Sequence, residues 1–490
     1  MVGRSEIANP EKQNSEFIKI YHGQSWRKLA TVGTSNNSRP ETRRKKMKHA
    51  KTVPGNRSSK QKTSGYDQGL QLNRRSFLKT AFQAGAVLAA PQVVRGAVLG
   101  KDGGVAPSER IVLGAIGIGN RGTYDLGCFL AEPDVQFVAI CDVKAERRQA
   151  IKKKADEKYG NSDCAMYRDL RDLLARNDID AVLIATGPNW HATASILAAN
   201  AGKDVYCEKP CTKNIAQSLA LAETFRRTGR VFQAGTQRRS LPNFAFAVDL
   251  ARRGNLGKLH TLYAHPDGLK TATSGWAEPE TEPDKEQVDW DLYLGPAAWR
   301  PYNKRFLDGF NFEKGGGLVG GGCLEWGSHC VDLCQWANDA DKTAPVEYEP
   351  KGKQLHARYA NGVKLIMRDD GWLKLGSCPV RFEGDTGWVE TGDDAEIVAS
   401  SPALLVGKRA KVSGYPANFH IRDFLDCVKS RGQTRANADA ACQSHIACHA
   451  ANIALFLDRK VSYDPAKNEF IGDEQANRLR SEALREPWRL

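Results

Sequence analysis

"RIVLGAIGIGNRGTYDLGCFL", residues 110–130, decides the fold. Arg110–Ile116 is an apolar, β-branched run of the kind that forms a buried strand. Glycines follow at Gly117, Gly119 and Gly122, and beyond them the apolar residues recur at helical spacing. A glycine pattern alone is a weak signal. Here it closes a strand and opens a helix, and Asp142 ends the next strand, "VQFVAICD" (135–142), 20 residues after Gly122. That context is the dinucleotide-binding one. Gly117 allows the tight turn, Gly119 lets backbone approach a pyrophosphate, and Gly122 lets the helix pack close on the strand. Asn120 and Arg121 lie in the same turn, at a helix N-terminus that favours phosphate charge. Asp142 would accept hydrogen bonds from the adenosine ribose and repel a 2′-phosphate, which favours NAD. Arg147 and Arg148 nearby leave NADP open.

Working outward, strands and helices keep alternating. "AVLIAT" (181–186), a helix from His191, "DVYCEK" (204–209), a helix near 215–228 and "VFQAG" (231–235) follow in turn. The expectation is an α/β chain whose N-terminal Rossmann domain, 108–235, is a doubly wound parallel sheet. Ligands bind at the carboxyl ends of such strands, where Thr186, Pro188, Trp190 and His191 stand after one strand and Glu208 and Lys209 after another. From about residue 236 the pattern changes. "HARYANGVKLIMR" carries Asn361-Gly362 between alternating segments, a strong hairpin signal, and "VRFEGDTGWVE" reads as a second hairpin. Residues 236–490 therefore read as an α+β domain with a mostly antiparallel open sheet, whose C-terminal segment is free to pack back on the Rossmann domain.

The net charge of +14 is local. Residues 1–79 hold 18 of the 71 Lys/Arg but 5 of the 57 Asp/Glu, so 53 basic residues face 52 acidic ones in the remainder. That balance removes the composition argument for nucleic-acid binding. Residues 1–72, rich in Ser, Asn, Lys, Arg and Gly, read as a disordered basic leader, and Met47 offers an alternative start. In 73–97, Ala81–Val94 is too short and too interrupted by Gln83, Pro91 and Gln92 for a transmembrane segment. Arg74-Arg75-Ser76-Phe77-Leu78-Lys79 ahead of it resembles a twin-arginine (Tat) signal, which implies the Tat machinery as a partner and a bacterial periplasmic location, with retention by an uncleaved leader the alternative. The twelve cysteines contain no Cys-x-x-Cys and no zinc framework, so no metal is expected and most should be small buried hydrophobes. His420, His445 and His449 are read as structural.

Gly117–Gly122 with Asp142, "TGPNWHATASILAANAGKDVYCEKP", "QAGTQRRS" and "GGGCLEWGSHCVDLCQW", in that order, resemble the Gfo/Idh/MocA oxidoreductases over roughly residues 108–490. The resemblance implies a bound NAD or NADP, a sugar or polyol substrate and a homo-oligomer. It places Lys209 beside the nicotinamide and the reacting carbinol, as a group that hydrogen-bonds the hydroxyl and relays its proton. It matches Glu325 and His329, four apart on one helix face, to the family's acid and histidine, with His329 as general base. Thr186, Pro188, His191 and Glu208 fall on the cofactor side; Trp190, Arg239 and Asp332 are matched to the substrate side, with a core-packing role the alternative for Trp190 and a structural role, capping or pairing within its helix, the alternative for Asp332. Arg238 and Arg239 together could meet an acidic substrate or be a solvated pair.

Three functions are consistent with these residues. The first is an NAD(P)-dependent dehydrogenase acting on a CH–OH of a sugar, cyclitol or related polyol, with tightly held cofactor. The second is a glycoside hydrolase or lyase that oxidises a sugar carbon transiently, eliminates and re-reduces. The third is a non-catalytic nicotinamide-binding protein, against which the joint presence of Lys209, Glu325 and His329 argues.

Overall fold

The fold follows from a computed structural model that describes residues 105–489 apart from 267, 270–276, 308–322, 370–374, 395, 409–411 and 413. The leader and signal segment expected over 1–72 and 73–97 lie outside the described residues. Six strands, β1 (Ile111–Ile116), β2 (Val135–Cys141), β3 (Ala165–Tyr167), β4 (Ala181–Ile184), β5 (Asp204–Cys207) and β6 (Phe232–Ala234), form one sheet in the order β3-β2-β1-β4-β5-β6. Every neighbouring pair is parallel. The strand order reverses between β1 and β4, so the ends of those two strands form the crevice where an open α/β sheet binds its ligand.

Helices cover both faces. Helix α1 (Asn120–Ala131) starts directly after extended Gly119. Next come α2 (Ala145–Tyr159), α3 (Pro188–Asn200) and α4 (Ile215–Thr228). Helix α3 opens at Pro188, three residues ahead of the expected His191, because proline's fixed φ and missing N–H suit the first helical position. Helix α4 is closed by an Asn214 side chain that accepts from the Gln217 N–H and by left-handed Gly229.

The second half is a nine-stranded sheet. Its strands are β7 (Leu259–Ala264), β8 (Glu347–Lys351), β9 (Gln354–Arg358), β10 (Lys364–Arg368), β11 (Val380–Gly384), β12 (Gly387–Thr391), β13 (Val398–Ala399), β14 (Val461–Asp464) and β15 (Glu469–Phe470). They lie in the order β13-β12-β11-β7-β10-β9-β8-β14-β15, and among the described residues only β7 and β10 pair parallel. The Asn361-Gly362 hairpin is present as β9–β10, with Gly362 at φ 88°. The second expected hairpin is β11–β12. Helices α5 (Pro242–Arg252), α6 (Leu324–Ala337) and α8 (Ala438–Leu457) supply the apolar cover for this sheet, and Leu262, Leu365 and Phe382 meet Phe244, Val331 and Ile446 in its core.

Sequence order and packing part company at α7 (Asn418–Ser430). Its Ile421, Phe424 and Leu425 join Leu113, Phe129 and Tyr206 in a core of the first sheet. Helix α8 serves both halves, with Ala441 and Cys442 in the first core and Ile446 and Ile453 in the second. All twelve cysteines are free thiols, eleven of them buried. No helix among the described residues is long and apolar enough to cross a membrane.

Candidate active site

The glycine turn is built for close approach. Gly117 has φ +68°, and a Cβ there would stand 2.2 Å from Thr186 Cγ2, so Thr186 packs on the turn where β4 ends. A Cβ at Gly122 would meet that of Ala185 at 2.7 Å. Over Gly119 the space holds only the flexible end of Arg147. Asp142, at the end of β2, accepts from the N–H of Ile118 at 3.0 Å and of Lys144 at 2.9 Å. Burial pushes its carboxyl above the usual range, against those two N–H groups and Arg147. Arg148 is tied to the carbonyls of Asp142 and Glu286, which leaves Arg147 as the arginine over the turn. An open glycine surface at a helix N-terminus, with a carboxylate beyond, fits a dinucleotide.

Arg121 and Glu208, both expected at the cofactor, meet each other beneath this turn. Arg121 pairs with Asp125 at 2.9 Å and with Glu208 at 3.5 Å. Gln237 donates to Glu208 at 2.6 Å and to the Tyr206 hydroxyl at 3.1 Å. Burial works to raise Glu208, but Arg121 and Lys209 hold it below the usual range, whereas burial drives Asp125 well above it. His191 is buried between two carbonyls, Nδ1 2.7 Å from Pro210 O and Nε2 3.0 Å from Thr186 O, and so links the chain ends of β4 and β5. Pro188 starts α3, and Asn120 stands exposed at the start of α1.

At the end of β5, Lys209 Nζ is 2.6 Å from Glu325 Oε1 and 3.2 Å from the Glu325 carbonyl. Its ammonium also lies 5.2 Å from the centre of the Trp326 ring. Glu325 belongs to the first turn of α6, and His329 follows one turn on, its ring 6.1 Å from that of Trp326. The helix spacing therefore brings the expected Lys209, Glu325 and His329 to one place. Beyond them is a partner not assigned from sequence: Arg238 Nη1 donates to His329 Nε2 at 3.1 Å. Arg238 is fully buried, grips Asp393 with two bonds of 3.1 and 2.6 Å, and lies 4.4 Å from the Tyr415 ring. Ser377 donates to the same Asp393 carboxylate. Burial, then Arg238 and Lys209, drive the His329 imidazolium well below its usual range. The lone pair a general base would use is taken by a guanidinium, so the role expected for His329 does not match its surroundings.

Residues 111–236 match the model of an oxidoreductase family with an NAD-binding Rossmann fold, and 268–490 match that family's C-terminal α/β domain, both under the name GFO_IDH_MocA. The chain belongs to the Gfo/Idh/MocA oxidoreductase family. Among similar curated proteins is a "Glycosyl hydrolase family 109 protein" of Saccharopolyspora erythraea, 34% identical over 174 residues, covering 32% of this chain and 38% of that one. Another is a myo-inositol 2-dehydrogenase of Thermotoga maritima, 31% identical over 150 residues, 31% of this chain and 43% of that one. The chain thus spans less than half the length of these curated relatives. The crystal structure of apo scyllo-inositol dehydrogenase from Lactobacillus casei shares the fold at 16% identity and a TM-score of 0.52, over 72% of this chain and 98% of that one.

Within this Gfo/Idh/MocA chain, the three residues matched to the substrate side, Arg239, Asp332 and Trp190, make structural contacts instead. Arg239 is buried and spends its donors on Asp332 (2.7 and 2.8 Å), Asp341 (3.0 and 2.7 Å) and the Arg435 carbonyl (3.0 Å). Asp332 also accepts from Ser444. With every N–H engaged, Arg239 and Asp332 form a buried ion pair that joins α6 to the segment after β6, not a substrate clamp. Trp190 donates to the Leu292 carbonyl at 2.7 Å, packs edge-on against Trp488 and fills the space over Gly295. It is core. His420, His445 and His449 are all buried and bonded within the protein.

Proposed function

We propose that this chain is a nicotinamide-dependent oxidoreductase acting on a secondary alcohol of a sugar, cyclitol or related polyol. The observation that carries it is the Lys209–Glu325 pair at a strand end beside the glycine turn. The inositol dehydrogenases among its relatives support the substrate class. NAD, or NADP with Arg147 at the 2′-phosphate, would be held by Gly117, Gly119, Gly122 and Asp142 and supplies a hydride acceptor when bound. The protein's part is the proton. Lys209 passes a proton to Glu325 Oε1 and, with the lone pair that frees, accepts the proton of the carbinol O–H, so the pair ends with one extra proton on the carboxyl. Trp326 offers an apolar wall beside the ammonium.

Denaturing the purified full chain should release a nicotinamide dinucleotide, and polyols should change its absorbance. Lys209→Ala should lose turnover and keep the cofactor. Retained turnover removes Lys209 from the mechanism, and no released or added nicotinamide binding removes the proposal. A second reading, glycoside cleavage by transient oxidation, draws on relatives bearing the glycosyl hydrolase family 109 name. Aglycone released from a synthetic glycoside without net reduced cofactor would favour it. The twin-arginine string at 74–79 supports export of the folded protein to the periplasm with its cofactor in place. Exchange of labelled NAD during turnover would count against that.

A further inference from the structure

His329 presents a puzzle of tautomer. A guanidinium has only donors, so the contact of Arg238 Nη1 with His329 Nε2 makes Nε2 the acceptor and puts the imidazole proton on Nδ1. Arg238 cannot turn away easily, because Asp393 holds it by two bonds and Ser377 in turn anchors Asp393. The remaining group, Nδ1–H, is buried and has no partner among the described residues. A buried donor left unmatched is destabilising unless something fills it.

We infer that His329 serves the reaction as a hydrogen-bond donor through Nδ1–H, its tautomer fixed by the Arg238–Asp393 pair, and not as its base. The inference rests on the oxidoreductase reading of the same site. The groups facing this imidazole from other elements are cations and a neutral ring: Arg238 after β6, Lys209 after β5, Arg121 on α1 and His420 on α7. The carboxylates near them are committed elsewhere, Asp393 to Arg238, Glu325 to Lys209 and Glu208 to Arg121. Among the described residues, these carboxylates are therefore not free to stabilise a proton arriving on the ring. A fixed N–H is the more useful group, because negative charge builds on the substrate oxygen as its proton leaves toward Lys209 and Glu325. Arg238 and Asp393 are then positioning residues that act through His329.

Two measurements on the full-length protein test this. Nitrogen-15 NMR of histidine-labelled enzyme, with His329 assigned by difference against His329→Asn and His329→Gln, should show the Nδ1–H tautomer unchanged from about pH 5 to pH 8. An Nε2–H tautomer, or an imidazolium appearing in that window, overturns the inference. Kinetically, Asn carries an N–H where Nδ1 stands, whereas Gln offers an acceptor to Arg238 but no such donor. His329→Asn should stay within about tenfold of wild-type kcat, while His329→Gln and His329→Ala should lose about 10²–10³, the range for one transition-state donor. Equal loss in all three overturns it. Arg238→Gln should add a histidine ionisation to the pH–rate profile that Arg238→Lys largely suppresses; an unchanged profile in Arg238→Gln contradicts the positioning role. Failure of the oxidoreductase reading would appear separately, as no nicotinamide reduced by any polyol, and would leave the tautomer result standing.

Discussion

Lys209, Glu325 and His329 are legible in the sequence through the family resemblance, which the strand-end place of Glu208-Lys209-Pro210 and the four-residue helical spacing of Glu325 and His329 fit; composition and periodicity alone do not pick them. Arg238 and Arg239 show where that legibility stops. Adjacent in sequence, they point to Asp393 and to Asp332 and Asp341, partners separated from them by 155, 93 and 102 positions. No local pattern encodes such pairings, so a solvated pair and a substrate clamp read alike. The buried reading has a direct consequence. Arg239→Ala leaves the buried Asp332 carboxylate without its cation and should cost about 3–5 kcal/mol of unfolding free energy, measured by urea titration. The KM for a polyol should hold where the variant is folded. A raised KM with unchanged stability would instead make Arg239 a substrate ligand.

Among the elements, α7 is the one whose type was clear and whose place was not. "NFHIRDFLDCVKS" has an apolar stripe at helical spacing, but a stripe does not say which core it covers. Its docking on the first sheet combines Phe424 beside Phe129 and Tyr206 with Arg422 and Lys429 on Asp134. Phe424→Ala should lose about 3–5 kcal/mol, the range for deleting a buried aromatic ring. Because the ring sits in the Rossmann core, the variant should also release bound cofactor at lower urea than wild type. Loss of stability with cofactor release unmoved would separate α7 from that core. The ion pairs add a pH signature. Burial opposes ionisation of Asp134, yet Arg422 and Lys429 hold its carboxyl at about 2. Its contribution is present above the ordinary carboxylate range and fades as pH falls toward 2. Asp134→Asn should therefore lower the urea midpoint at neutral pH, with the gap from wild type narrowing below about pH 4.

At the scale of the whole molecule, the two-sheet architecture was readable from alternating patterns, since hydrophobic periodicity and turn glycines are local. How helices α7 and α8 tie the two halves together was not, because that depends on which surfaces remain uncovered once both sheets exist. The ties include buried histidines. His420 bridges Ser240 and the Ala234 carbonyl, and His445 bridges the Ala441 carbonyl and the Cys211 N–H. Burial lowers each to about 4. The folded chain keeps them neutral while the unfolded chain takes up protons near pH 6.5, so stability is full above about 6.5 and falls as pH drops toward 4. The urea midpoint should decline across that interval, and a midpoint flat from pH 7 to 4.5 would contradict it. The central claim, that these residues assemble one site for hydride removal from a CH–OH with Lys209 managing the proton, has its most direct test in isotope transfer. Full-length protein with NAD and a polyol deuterated at the reacting carbon should yield nicotinamide deuterated at ring carbon C4, and Lys209→Ala should yield none. Unlabelled cofactor after substrate turnover by the wild-type protein would contradict the account.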